Sequence, residues 1–355
     1  MDKFKIDSHK LMYHVPRVSD WLEGKNIFPI YLEISAAGSC NHRCTYCALD
    51  FMEYQPRFLK TDILKDRLSE MGSLGVKSIM YAGEGEPFLH KDMVEIARKT
   101  HKSGINVAFT TNGTLMKKEI SEQVLGCTEW IKISINGATP DTYAKIHRTD
   151  EKDFYRLLDN LKAAVGIRRK NKYRCTLGMQ LLLLPENHHE AVALAKLARD
   201  IGLDYLVIKP YSQHPQSKTK QYNAIRYSDY EYLKDELSAI NTKTFRVIFR
   251  IQAMKKWDDG RRDYERCLAL PFWSYIDAGG NVWGCSMFLG DERFLYGNIY
   301  EQAYRQIWEG KARKKSLQWV EKKMCVQNCR VNCRMDEINR YLWELKHPLA
   351  HVNFI

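Results

Sequence analysis

A chain of 355 residues, 45% of them hydrophobic, can bury one large core and a smaller second one, and nothing in it is repetitive or of low complexity. Its net charge of +12 favours anionic partners, either phosphorylated or nucleotide-linked small molecules or nucleic acid, and its ten cysteines argue for metal rather than disulfides in a reducing compartment. The expected compartment is the cytoplasm: Met1-Asp2-Lys3-Phe4-Lys5 has no signal-peptide core, and the apolar run Leu181 to Leu184 is far too short to span a membrane.

Residues 1–27 read as an N-terminal extension. From 28 to 210 the chain alternates short aliphatic or β-branched runs with amphipathic helical stretches, the pattern of βα units around a parallel sheet. The strand candidate 30–34 leads through an Ala-Ala-Gly-Ser loop into Cys40, Cys44 and Cys47. Three thiolates are one short of what a structural zinc or a fully ligated iron-sulfur cube needs, so a metal held here keeps an open position. The alternative is half of a zinc site completed by a distant ligand such as His42.

A helix then starts after Thr61-Asp62, presents Ile63, Leu64, Leu68 and Met71 on one face, and stops at Gly72 or Gly75. Strand 78–82 runs into Gly83-Glu84-Gly85-Glu86-Pro87, where glycine permits close backbone approach to a ligand and a carboxylate can accept from an ammonium. Helix 92–101 and strand 106–110 follow, ending at Thr110-Thr111-Asn112-Gly113. Strand 130–135 carries Ser134 to its end, with Arg148 downstream and helix 153–167 beyond it. Strand 175–183 holds Gln180 among apolar residues, and helix 187–201 is expected to be capped by Asn187 and stopped by Gly202. Strand 205–209 is the sixth, and Lys209, Tyr211, Gln213 and His214 behind it are the candidate substrate contacts, because barrel sites are built by such loops.

Residues 211–260 read as a connecting segment, 261–335 as a second metal-binding domain and 336–355 as a tail. Between Cys267 and Cys285, the run Tyr275 to Cys285 has the pattern of a hairpin with a Gly/Asn turn. Cys325, Cys329 and Cys333 recur every four residues, which in a helix would align them on one face. The basic runs 168–172 and 311–315 read as solvated helix ends, and Cys127 and Cys175 as small buried hydrophobes.

The spacing Cys-x3-Cys-x2-Cys with Tyr46 before the last thiol closely resembles the signature of the radical SAM enzymes, and Gly83 to Pro87 resembles their methionine-gripping segment. The stretch from Cys267 through Gly297-Asn298-Ile299 and Ile307-Trp308 to Cys333 resembles their SPASM/twitch extension. The resemblance implies an α/β fold, a partial (β/α)6 TIM-like barrel with a small C-terminal iron-sulfur domain. It implies a 4Fe-4S cluster on Cys40, Cys44 and Cys47, shielded by Tyr46, whose open iron binds S-adenosylmethionine (SAM). The SAM contacts it implies are Gly83, Glu84, Gly85, Glu86, Pro87, Asn112, Ser134, Arg148 and Gln180. One auxiliary 4Fe-4S cluster would take four of Cys267, Cys285, Cys325, Cys329 and Cys333, although four thiolates also suit zinc.

The activity implied by the resemblance is reductive cleavage of SAM to a 5'-deoxyadenosyl radical and hydrogen abstraction from a substrate carbon, fed by a low-potential donor such as flavodoxin or ferredoxin. Dehydrogenation of a sugar, sugar nucleotide or similar anionic hydroxylated small molecule is the favoured outcome. Maturation of a peptide is the runner-up, set back because some 25 residues before the barrel leave no room for a recognition domain. A zinc-stapled nucleic-acid-binding protein is the reading of another class, disfavoured because aromatics do not interleave the basic runs.

Overall fold

The computed structural model describes residues 4–6 and 8–354. In chain order its regular elements are α1 (Val15–Leu22), β1 (Tyr31–Ile34), α2 (Thr61–Ser73), β2 (Ser78–Tyr81), α3 (Met93–Lys102), β3 (Asn106–Thr111), α4 (Lys118–Val124), β4 (Trp130–Ser134), α5 (Pro140–His147), α6 (Lys152–Asn171), β5 (Thr176–Leu183), α7 (Ala191–Ile201), β6 (Tyr205–Pro210), α8 (Leu233–Ser238), β7 (Arg246–Phe249), α9 (Ile251–Asp259), β8 (Trp273–Ile276), β9 (Asn281–Trp283), β10 (Leu295–Asn298), α10 (Tyr304–Glu309), α11 (Lys311–Lys323) and α12 (Asp336–Lys346). No described helix is long and apolar enough to cross a membrane.

All ten strands join one sheet in the order β10-β9-β8-β1-β2-β3-β4-β5-β6-β7. The fold is α/β with a mostly parallel sheet, as expected. Strands β1 to β7 run parallel in sequence order, so each crossover needs a helix, and the helices cover one face. Leu32, Ile34, Ile79, Tyr81, Val107, Phe109, Ile131 and Ile133 point to that face and build the main core with Leu64, Leu68 and Met71 of α2. Because successive strand side chains alternate, Glu33, Met80, Lys132, Gln180 and Lys209 belong to the opposite, inner face.

Two additions lie beyond the six expected strands. β7, inside the segment read as a connector, pairs with β6 through Tyr205↔Arg246 to Ile208↔Phe249. On the other edge β8 pairs parallel with β1, Tyr31 opposite Trp273, so the C-terminal hairpin β8-β9 continues the barrel sheet. Asp277 builds that hairpin's turn: its carboxylate accepts from the backbone N–H of Gly279 (2.8 Å) and Asn281 (3.0 Å) and from the Trp283 indole (2.8 Å). Asn187 does not cap a helix as expected. Its amide donates to Asn136 O (3.0 Å) and Leu182 O (2.9 Å), fastening the ends of β4 and β5.

Candidate active site and a second thiol cluster

The loop after β1 carries Cys40, Cys44 and Cys47 at the carboxyl ends of the parallel strands, where polar groups can converge without interrupting the ladder. Its shape is set by backbone bonds to α5: Arg43 N–H donates to His147 O (3.1 Å) and Thr45 N–H to Ile146 O (2.9 Å). Asn41 and Asn112 pair side chain to side chain at 2.7 Å, fixing the loop to the end of β3. All three thiols are free and half-buried, and burial pushes each above the ordinary thiol range, Cys40 to about 12. Such thiols wait protonated until a metal displaces the proton.

Cys44 has a defined neighbour. His147 Nδ1 lies 3.3 Å from its Sγ, and His147 Nε2 lies 3.3 Å from the Asn136 amide nitrogen. Asn136 is oriented by Leu182, whose N–H reaches its Oδ1 at 2.7 Å, so its NH2 faces His147 and donates. Nε2 is then the acceptor and Nδ1–H donates to the sulfur. Burial holds His147 well below the usual imidazole range, consistent with a neutral ring. His42 Nε2 contacts Asp153 (3.3 Å) instead of completing a zinc site by itself, although His42, Cys44 and His147 do place their donor atoms within 4.8 Å of one another.

The glycine-rich turn folds onto this loop. A Cβ on Gly85 would sit 1.9 Å from Ser39 O, so only glycine lets Glu86 N–H reach that carbonyl at 2.9 Å. Gly83 has φ +124°, and a Cβ there would strike the Tyr275 hydroxyl at 2.3 Å. Glu86 accepts from Thr111 Oγ1 (2.5 Å), Asn112 N–H (2.8 Å) and Phe88 N–H (3.2 Å). A carboxylate has about four lone-pair sites, so one remains for an ammonium. Burial pushes Glu86 up to about 7 against those three donors, and its charge reaches Cys40. Pro87 opens a short 3-10 turn behind it. The hydroxyl of Tyr143 is buried without a hydrogen-bond partner among the described residues, close enough to Cys44, Cys40 and Glu86 to feel their charges. Buried soft donors, a glycine cradle and an orphaned hydroxyl together fit a cluster with an organic ligand.

Ser134 and Gln180 face each other in register at the ends of β4 and β5. Tyr46 is half-buried with its ring edge-on to His147 at 5.6 Å. Arg148 caps α5 in the left-handed conformation (φ 48°), exposed on the rim of the site, with no ion pair among the described residues. Glu84 departs from expectation. Its carboxylate is taken by Arg57 (2.9 Å) and by Ala278 N–H (3.1 Å), so it ties the cysteine loop to the C-terminal hairpin.

Of the residues after β6, Lys209 alone is left available. Tyr211 donates its hydroxyl to Gln213, and Gln213 in turn donates to His214 O (2.8 Å) and Thr219 O (3.1 Å). His214 is buried, stacked on Phe51 at 4.9 Å, with Nε2 at 3.3 Å from Ser286 O, and burial lowers it to about 4. A loop folded over a barrel must satisfy its own polar groups, and these three side chains do so.

At the C-terminal end Cys267, Cys285, Cys329 and Cys333 pack against one hydrophobic cluster built around Trp273, Phe294 and Leu342. Cys267, Cys285 and Cys333 each sit in the electrostatic field of Cys329, which makes it their common neighbour. Cys325 is exposed and stands outside the group. The last three thiols do not share a helix face, because only a short 3-10 turn (Val326–Asn328) forms between them and α12 begins at Asp336. Asn339 is a functional residue that the sequence reading misses: buried on α12, it accepts from Leu268 N–H (2.7 Å) and Ala269 N–H (3.0 Å) and points its amide at Cys267 Sγ (3.7 Å).

Residues 34–198 match the family model of the Radical SAM superfamily, and residues 267–334 match that of SPASM, an iron-sulfur cluster-binding domain. The chain is 27% identical over 316 residues to the AdoMet-dependent heme synthase of Methanosarcina barkeri (strain Fusaro / DSM 804), covering 84% of this chain and 83% of that protein. It is 30% identical over 204 residues to the GTP 3',8-cyclase of Rhizobium leguminosarum bv. trifolii (strain WSM2304), covering 54% of this chain and about half (55%) of the cyclase. Among solved structures, Streptococcus suis SuiB bound to S-adenosylmethionine superposes with a TM-score of 0.64 at 18% identity, covering 85% of this chain and 70% of that one. The enzyme anSMEcpe with bound AdoMet gives 0.58 at 17% identity, covering 83% and 84%. At these identities the structural likeness is one of fold.

Proposed function

Starting from a chain that belongs to the radical SAM superfamily and carries a C-terminal SPASM domain, we propose that it is an oxidoreductase acting on an anionic, hydroxylated small molecule such as a sugar, sugar phosphate or sugar nucleotide. The family's cofactors are a 4Fe-4S cluster, SAM and auxiliary iron-sulfur; when bound, they supply one-electron cleavage of SAM, hydrogen-atom removal from a substrate carbon, and an acceptor for the electron left on the substrate as it loses a proton. Cys40, Cys44 and Cys47 would hold the first cluster, leaving one position open. Glu86 would accept from the SAM ammonium with its remaining lone pair, and Ser134 and Gln180 would face the ligand from neighbouring strand ends. Tyr46 and Tyr143 would exclude water from it. Cys267, Cys285, Cys329 and Cys333 would ligate one auxiliary cluster completely.

The observation that carries the oxidative reading is this complete set of four thiols, packed in a domain whose first strand pairs directly with β1 of the barrel. A cluster ligated four times by protein has no position for SAM, which leaves electron transfer as its chemistry. A flavodoxin or ferredoxin would feed the first cluster. The test is anaerobic reconstitution of Cys40→Ala/Cys44→Ala/Cys47→Ala. We expect 5'-deoxyadenosine formation to vanish while iron bound by the C-terminal thiols persists; undiminished SAM cleavage in that variant would sink the assignment.

A further inference from the structure

The inner face of the sheet carries charge that the cofactor site does not use. Lys132 of β4 and Lys209 of β6 both point there, half-buried and therefore reachable, and neither has an ion-pair partner among the described residues. From the opposite side the C-terminal segment delivers two guanidinium groups. Arg334 pairs with Glu33 of β1 at 2.8 Å, and Arg330 donates to Ser212 Oγ at 2.6 Å. These elements are close in space: the charge of Arg334 is felt at both lysines, and that of Arg330 at Lys209.

Glu33 is the one carboxylate among the groups that bear on the lysines, and Arg334 already takes it. Burying cations without counterions is costly, and burial together with the neighbouring guanidiniums pushes Lys132 down to about 7 and Lys209 well below its ordinary value. A fold gains nothing from clustering such groups for its own stability, since apolar side chains of similar size would serve better. An anion entering between them would repay the cost. The segment's sequence gives the site its meaning: in Cys329-Arg330-Val331-Asn332-Cys333-Arg334 each thiol is followed by an arginine, so the thiols turn into the C-terminal cluster while the guanidiniums reach the barrel.

We propose that Lys132, Lys209, Arg330 and Arg334 form an anion site on the inner face of the sheet, which takes the carboxylate or phosphate groups of a polyanionic substrate and holds it against the segment bearing Cys329 and Cys333. The inference rests on the oxidative reading and deepens it, because it places substrate beside the electron acceptor.

The test uses the full-length, anaerobically reconstituted protein with SAM, titrated calorimetrically with two probes, inorganic pyrophosphate and the tricarboxylate tricarballylate. The wild type is expected to bind at least one, and the probe it prefers tells phosphate from carboxylate recognition. Lys132→Met/Lys209→Met and, separately, Arg330→Gln are expected to weaken that binding tenfold or more, and Arg330→Lys by less, while SAM affinity stays unchanged and reports that each variant is folded. Wild-type protein that binds SAM but takes neither probe more tightly than the double lysine variant overturns the anion site and leaves the cofactor assignment standing. Wild-type protein that binds the anions but not SAM overturns the cofactor reading instead.

Discussion

The two thiol groups of this protein differ in how the chain assembles them. Cys40, Cys44 and Cys47 lie within one run of eight residues, whereas Cys267, Cys285, Cys329 and Cys333 come from three separate segments gathered on one apolar cluster. A local trio can be presented at the edge of a barrel with a side left open, and the glycine turn and Glu86 close around that side. A dispersed quartet is enclosed by the domain it helps to hold together. Ligand number and chain separation thus go with role: the first group can take a second ligand, and the second can only pass charge.

The largest effect expected from this contrast is that of removing the quartet. Cys267→Ala/Cys285→Ala should lose the auxiliary iron yet keep forming 5'-deoxyadenosine, now uncoupled from substrate oxidation, whereas Cys325→Ala should lose no iron and no activity; iron counts and product analysis check both. Normal substrate turnover in a double variant verified to lack its second cluster would overturn the electron-acceptor reading.

Next in size is Glu86→Gln. Losing one charge-assisted bond to the ammonium should weaken SAM binding by about 1.5 to 3 kcal/mol, roughly 10- to 150-fold, with iron content unaltered. Isothermal titration with SAM reads this directly, and wild-type affinity in the variant would move the cofactor elsewhere.

A subtler comparison uses the one side-chain donor aimed at each group, His147 at Cys44 and Asn339 at Cys267. An N–H donated to a thiolate favours the reduced, more negative cluster. His147→Phe should therefore lower the potential of the SAM-binding cluster alone, and Asn339→Leu that of the auxiliary cluster alone, each followed by EPR-monitored redox titration. A shift of both potentials in either variant would show that the two sites are not electronically separate.

The smallest expected effect concerns Glu84, which joins the two regions through Arg57 and Ala278. Burial raises it from 4.5 to about 7, so the folded protein holds more protons than the unfolded chain between those values. Stability of the metal-free protein should accordingly fall as pH rises from about 4.5 to about 7, and Glu84→Gln should flatten that part of the profile in chemical denaturation. An unchanged profile would remove Glu84 as its source.

Much of the first region is legible in sequence because its signals are local: a thiol triplet, a glycine turn that must pass Ser39 O, strand ends at Ser134 and Gln180. The second region is less so. Which cysteine stands apart depends on where Cys325 falls relative to an apolar cluster drawn from both ends of the chain, and spacing carries no record of that. The helical alignment expected for Cys325, Cys329 and Cys333 fails because the segment is held by long-range bonds, such as Asn332 Nδ2 to Ala253 O at 2.6 Å, in place of i→i+4 ones. Tyr211, Gln213 and His214 are attractive by position, but position cannot reveal that their polar atoms are spent on one another and on the loop. Lys132, Arg330 and Arg334 give no sign of acting together in the sequence, because β4 and the C-terminal segment meet only in three dimensions.

The division of labour between the two thiol groups is tested most directly by EPR of the dithionite-reduced protein with and without SAM, in Cys40→Ala/Cys44→Ala/Cys47→Ala and in Cys267→Ala/Cys285→Ala. SAM is expected to change the cluster signal only in the variant that keeps Cys40, Cys44 and Cys47. A SAM-dependent change in the variant that keeps only the C-terminal thiols would contradict that division.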